Sequence, residues 1–103
     1  MKILLICSSG MSSSLLGNKI KEAAKSKGID AEVLSVSTDA ADNALAEADV
    51  ILLAPQIRFM KKRFGEIAKT HNIPVDVIDA KDYGTVNGTG VLQKVLKLLE
   101  NKK

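Results

Sequence analysis

The chain has 103 residues and a formal net charge of +3 at pH 7, and this length predicts one domain, residues 1–103, with one hydrophobic core. The charge comes mostly from lysines spread along predicted helices, and only three residues are aromatic. The sequence therefore lacks the basic patch and the stacking surface of a nucleic-acid-binding protein.

The chain contains a single cysteine, Cys7, which allows no internal disulfide and suits a reducing compartment. The apolar segment near the N-terminus is too short for a signal-peptide core, and no apolar segment is long enough to span a bilayer. We therefore expect a cytoplasmic, monomeric protein that does not itself insert into a membrane.

The first half of the chain alternates between strand and helix patterns. Residues 3–6 are almost purely apolar and predict a strand, and residues 12–27 follow with helical periodicity and Gly28 as the C-cap. Residues 31–36 predict a second strand, whose partial polar alternation favours an edge position. A short helix with Thr38 or Asp39 as its N-cap follows.

The second half continues the alternation. Residues 50–54 are continuously apolar, which is typical of a buried central strand. Pro55 ends this strand, and an apolar stripe from Ile57 to Ala68 predicts a third helix. Residues 75–78 predict a fourth strand, and residues 79–90 predict a loop containing three glycines before the last helix.

This alternation predicts an α/β fold, a small doubly wound parallel sheet with helices on both faces. Right-handed crossovers favour the strand order 2-1-3-4. The order reverses between strands 1 and 3, so the loops after them, residues 7–14 and 54–58, should flank the crevice in which such sheets bind ligands.

Cys7 is predicted at the carboxyl end of the first strand, before a hydroxyl-rich loop and a helix. Backbone N–H groups and the positive end of a helix suit an anion, either a phosphate or the thiolate itself. The hypothesis is a cysteine that accepts or attacks a phosphoryl group. The alternative is a small buried hydrophobic residue, which a position inside the strand would favour.

The sequence gives little support for a metal site or a nucleotide-binding site. The one histidine, His71, has no neighbours at metal-ligand spacing and is predicted to be structural, so we expect no metal and no cofactor. Neither G-x-x-x-x-G-K-[ST] nor G-x-G-x-x-G, the two common nucleotide-binding motifs, is present.

A cysteine phosphatase loop needs an arginine where this chain has Ser13. A loop without that arginine better suits a transient phosphoryl carrier.

Three segments carry a family resemblance: residues 7–16, residues 54–57, and residues 79–84 with Asn87-Gly88. Together they resemble the IIB components of the bacterial sugar phosphotransferase system, of the lactose/cellobiose/chitobiose type. The similarity runs over essentially the whole chain, in order and at matching lengths. Ala54 departs from it, because the family commonly has glycine there.

The resemblance implies a mechanism. A phosphohistidine of a IIA protein would phosphorylate Cys7, which would pass the group to a sugar, such as a β-linked disaccharide, bound by the membrane protein IIC. The resemblance also implies a phosphate-binding loop made of Ser8, Ser9, Gly10, Met11, Ser12 and Ser13. We expect Ser12 and Ser13 to be the stronger contacts because they are predicted to begin the helix.

Four further residues are candidates for contacts with the crevice or with partners: Pro55, Gln56, Arg58 and Tyr83. Met11 could contact partners or pack within its helix. Two alternative functions remain at this point. The first is a small thiol phosphatase or arsenate reductase, and the second is a non-catalytic regulatory domain.

Overall fold

The computed structural model of the protein describes residues 1–7 and 10–100, with side chains described outside residues 10–14 and Asp42. Four strands are present in this part of the chain: β1 (Lys2–Cys7), β2 (Glu32–Ser37), β3 (Val50–Leu53) and β4 (Val75–Val77). The helices are α1 (Gly10–Ser26), α2 (Thr38–Ala44), α3 (Lys61–Thr70), α4 (Ala80–Gly84) and α5 (Gly88–Glu100). Two 3-10 turns, Leu45–Glu47 and Pro55–Met60, precede β3 and α3.

The four strands form one parallel sheet in the order β2-β1-β3-β4, as the sequence predicts. In the register of the central strands, Ile6 lies opposite Val36 on one side and Leu53 on the other. All four residues of β3 are buried. This burial explains their continuous apolar sequence, because helices cover both faces of the sheet.

Two hydrophobic clusters lie on the two faces of the sheet. Leu4 and Ile6 pack with residues of α2 and α3, including Phe64. Ile3 and Leu5 point to the other face and pack with residues of α1 and α5. Successive strand residues alternate between faces, so β1 supplies both cores.

The boundaries near the expected loops differ from the prediction. α1 begins at Gly10 rather than at Ser12, which shortens the loop after β1. The predicted loop 79–90 contains α4, whose N-cap Asp79 accepts a hydrogen bond from the Lys81 N–H at 2.8 Å. It also contains the start of α5, because the Asn87 side chain accepts a hydrogen bond from the Gly90 N–H at 3.1 Å. Polar side chains at N-caps thus form helices where glycines suggested a loop.

Two other expectations are corrected at helix starts. The N-cap of α2 is Ser37 rather than Thr38 or Asp39. The third helical segment is not continuous, because Pro55–Met60 is a 3-10 turn with a non-helical residue, Ile57, at φ −114° and ψ 25°. Lys61 then begins α3. Apolar spacing alone does not distinguish a kinked turn from a regular helix.

Gly28 ends α1 as predicted. Its φ is +72°, and the Ile29 N–H donates to the Ala24 carbonyl at 2.8 Å, as in a Schellman motif. The same pattern ends α3 at Asn72 (φ +56°) and α4 at Val86 (φ +53°). Val86 is the unfavourable case, because a β-branched residue strains the left-handed conformation.

Candidate functional site

The carboxyl ends of the four strands meet at one edge of the sheet. Cys7 ends β1 and lies opposite Ser37, the last residue of β2. On its other side, the Ala54 N–H donates to the Ile6 carbonyl at 2.9 Å, and the Ile78 N–H donates to the Leu53 carbonyl at 2.8 Å. The chain segments that follow all four strands therefore leave the sheet at the edge that contains Cys7, the carboxyl edge.

Cys7 is the last residue of β1 rather than the first residue of the loop that follows. It is 2% exposed and packs in the cluster that contains Ala41 and Ala54. Burial is typical of a small core residue, whereas the end of a central parallel strand is typical of a ligand site. Stability and chemistry must therefore be measured separately at this residue.

The predicted phosphate loop is only partly covered by the structure. Ser8 and Ser9 lie outside the described residues, and so do the side chains of Met11, Ser12 and Ser13. Their backbone, from Gly10 onward, belongs to α1, so Ser12 and Ser13 are its third and fourth residues. The first N–H groups of a helix have no acceptor within the helix, and its N-terminus carries partial positive charge. The start of α1 therefore favours an anion close to Cys7.

Pro55, Gln56 and Arg58 lie in the 3-10 turn that follows β3 at the carboxyl edge. Gln56 and Arg58 are exposed, and the Ile57 N–H closes the turn by donating to the Ala54 carbonyl at 3.0 Å. Ala54 has φ −63° and ψ 149°, which alanine adopts without strain. Alanine at this position is therefore compatible with the local backbone.

Tyr83 lies in α4, which leaves the sheet directly after β4. Its side chain is partly buried and packs against both hydrophobic clusters. Its N–H donates to the Asp79 carbonyl at 2.9 Å. Tyr83 thus has a structural role where the two cores meet, at the helix that begins from the carboxyl edge.

The sequence analysis did not single out Ser37, which lies opposite Cys7. Nor did it assign Asp79 its role as the N-cap of α4. The available signal was their position, because each is a polar residue directly after a predicted strand. Extending the second strand by one residue would have placed Ser37 beside Cys7.

His71 is exposed and is the C-cap residue of α3, where its N–H donates to the Ala68 carbonyl at 3.0 Å. His71 thus lies at the C-terminal end of α3, where the sequence predicted it. Within residues 1–7 and 10–100, no group of three histidine, cysteine or acidic side chains is arranged to hold a metal ion. Nor does this part of the chain contain a helix long and apolar enough to cross a membrane.

Comparison with known proteins gives matches over nearly the whole chain. The family described as "PTS system, Lactose/Cellobiose specific IIB subunit" matches residues 2–94. A PTS oligo-beta-mannoside-specific EIIB component of Bacillus subtilis is 44% identical over 101 residues, which cover 98% of each protein. A galactose-specific EIIB component of Lactococcus lactis subsp. cremoris is 42% identical, over 96% of this chain and 93% of the relative.

Two solved structures have the same fold. A cellobiose-specific phosphotransferase IIB component from Borrelia burgdorferi has a TM-score of 0.80 and 45% identity, over 100% of this chain and 94% of that one. The lactose-specific IIB component domain from Streptococcus pneumoniae has a TM-score of 0.86 and 25% identity, over 95% and 96%. The parallel sheet described above is therefore shared with both.

Proposed function

The chain belongs to the lactose/cellobiose-specific IIB subunits of the sugar phosphotransferase system, and on this premise we propose that Cys7 carries a phosphoryl group from a IIA protein to a sugar bound by IIC. One observation supports this role most strongly. Cys7 ends a central strand beside the N-terminus of α1, where the strand order reverses. Parallel α/β sheets bind ligands at such a position.

The proposed reaction has two phosphoryl transfers. In the first, the Cys7 thiolate attacks phosphorus, the P–N bond to a IIA histidine breaks, and the released imidazole nitrogen takes up a proton. In the second, a sugar hydroxyl attacks phosphorus and gives its proton to solvent, and the S–P bond breaks to regenerate the thiolate. The backbone N–H groups at the start of α1, with the hydroxyls of Ser8, Ser9, Ser12 and Ser13, would stabilise the phosphoryl oxygens.

Carrier chemistry fits this chain better than hydrolysis. A cysteine phosphatase holds the transferring phosphoryl group with an arginine in the loop, and residues 8–14 contain none. The two arginines of the chain are Arg58, in the turn after β3, and Arg63, whose guanidinium lies 5.4 Å from the centre of the Phe64 ring. Without an arginine in the loop, phosphocysteine would be held modestly and released to the next acceptor.

The proposed sugar is a β-linked disaccharide such as cellobiose, chitobiose or lactose, and the proposed location is the inner face of the membrane, through IIC. Relatives with 42–44% identity are named for an oligo-beta-mannoside, galactose and cellobiose. Similar IIB chains thus serve systems with different sugars. Sugar selectivity is therefore assigned to the membrane partner.

The test is the intact mass of the protein after incubation with phosphoenolpyruvate, the general phosphotransferase proteins and a lactose/cellobiose-type IIA protein. We expect one phosphoryl adduct on the wild type and none on Cys7→Ser, because the serine hydroxyl remains protonated and is a poor nucleophile without a base. Strong acid and base must be avoided because the S–P bond is labile. An equal adduct on Cys7→Ser would disprove the assignment.

A further inference from the structure

Exposed apolar side chains occur in two elements that begin at the carboxyl edge. Among the side chains that the structure describes, three large hydrophobic ones are exposed: Leu15 (52%), Leu34 (53%) and Phe59 (77%). Leu15 is in α1 and Phe59 in the 3-10 turn after β3, and both elements begin at the carboxyl edge. Leu34 lies in the middle of β2. Isolated exposed hydrophobic residues are normal, but Leu15 and Phe59 differ from Leu34 because their elements begin at the edge that contains Cys7.

Chain geometry limits how far these two residues lie from the carboxyl edge. Phe59 follows Ala54 by five residues, which is about 10 Å at the rise of a 3-10 helix, and Cys7 is about 5 Å from Ala54 on the neighbouring strand. Leu15 is about 8 Å from the start of α1. A standard protein interface covers about 800 Å² on each partner, which is enough to include Leu15, Phe59 and the carboxyl edge.

The surface around Phe59 is positively charged. Arg58 and Lys62 are exposed and, among the described residues, neither is within ion-pair distance of a carboxylate. Two neighbouring cationic side chains already have partners within the chain. Lys61 is 3.5 Å from Asp76, and Arg63 lies over the Phe64 ring. Glu66 is the one acidic residue of α3. A partner surface that complements this side of the molecule is therefore acidic.

We propose that Leu15, Arg58, Phe59 and Lys62 form a docking surface for the protein that donates the phosphoryl group to Cys7. The donor would present an apolar surface to Leu15 and Phe59 and acidic side chains to Arg58 and Lys62. This inference rests on the proposed function, which requires a protein to approach Cys7. A protein partner is favoured over an anionic bilayer because two cations and two apolar side chains are few for stable membrane attachment.

The experiment measures the initial rate of Cys7 phosphorylation by a phosphorylated lactose/cellobiose-type IIA protein, as the concentration of the IIB chain is varied. Phe59→Ala should raise the half-saturating concentration about tenfold and leave the maximal rate unchanged, because aromatic side chains dominate interface affinity. Leu15→Ala should act in the same direction with a smaller effect. Lys62→Glu should raise the half-saturating concentration most strongly at low salt.

Leu34→Ala is the matched control, since Leu34 is as exposed as Leu15 but lies mid-strand in β2. The half-saturating concentration of the Leu34→Ala protein should equal that of the wild type. Unchanged kinetics in Phe59→Ala and Leu15→Ala would overturn the docking surface. The surface would instead be assigned to a membrane if those variants also lost cosedimentation with phosphatidylglycerol vesicles.

Failure of the proposed function would look different, because the wild type itself would then gain no phosphoryl adduct. Calorimetric titration of the IIA protein into wild type, Phe59→Ala and Leu34→Ala would still decide the docking question. Weaker binding in Phe59→Ala alone would support the surface. Equal binding in all three proteins would overturn it.

Discussion

The two ends of the sheet differ in the residues that close them. At the amino ends, charged residues make structural contacts: the Lys2 N–H donates to an Asp49 carboxylate oxygen at 2.7 Å, and the N-terminal ammonium group donates to the Asp30 carbonyl at 3.2 Å. At the carboxyl ends, β1 and β2 finish in Cys7 and Ser37, and Ala54 follows β3. These three residues are small and uncharged.

With the proposed function, this difference would separate the residues that stabilise the sheet from those that take part in phosphoryl transfer. Side chains at the amino ends are already used to satisfy backbone groups of the fold. At the carboxyl ends, small side chains are followed within a few residues by helix N-termini, whose N–H groups suit an anion. A substitution at the amino ends should therefore change stability, whereas one at the carboxyl edge should change phosphoryl transfer.

The strongest test of this contrast pairs Cys7→Ala with Asp49→Ala. Cys7→Ala should abolish phosphoryl acceptance and lower the free energy of unfolding by only about 1 kcal/mol, because it removes one buried sulfur. Asp49→Ala should cost about 1 kcal/mol through the lost hydrogen bond and leave acceptance intact. Urea unfolding and intact mass measure the two quantities, and a Cys7→Ala protein that still gained the adduct would break the contrast.

A larger loss of stability without loss of chemistry is expected at Phe64. Its side chain is fully buried beneath the sheet, so Phe64→Ala should lower the free energy of unfolding by about 3–5 kcal/mol through lost burial and a cavity. The folded fraction should still accept a phosphoryl group at Cys7. Urea unfolding gives the stability, and complete loss of acceptance by protein shown to be folded would contradict the separation.

A smaller loss of stability is expected from a substitution where α1 packs against α5. A Cβ atom on Gly88 would clash with the Lys19 carbonyl and lie 2.7 Å from the Ile20 nitrogen, so Gly88→Ala should destabilise the protein by about 2 kcal/mol. Gly65→Ala is the control, because nothing lies within 4 Å of a Cβ at that helical position. It should stabilise α3 by about 0.5–1 kcal/mol. Equal thermal midpoints for the two variants would contradict this packing.

Much of the fold can be predicted from the sequence, because the spacing of apolar residues reflects the type of each element and the faces that it buries. The continuous apolar run at residues 50–53 predicts the buried strand β3, and the alternating order of strands and helices predicts the 2-1-3-4 sheet that is observed. The start of α1 was misplaced because serines compete with the backbone for hydrogen bonds and suggest a loop. The helix nevertheless begins at Gly10.

The sequence predicts where the candidate site lies in the fold, but not which residues pack around it. A lone cysteine after an apolar strand predicts the carboxyl edge, and Cys7 ends β1 there. Its 2% exposure was not predictable, because burial depends on packing with Ala41 and Ala54, which are distant in sequence. Helical spacing likewise does not reveal the kink at Ile57.

The most direct test of the account locates the phosphoryl group within the chain. After phosphorylation by a IIA protein, tryptic peptides would be sequenced by mass spectrometry under conditions that preserve the S–P bond. We expect the phosphoryl group on Cys7, within the peptide of residues 3–19. Phosphate on His71, the only histidine, or on a serine of the loop with Cys7 unmodified, would contradict it.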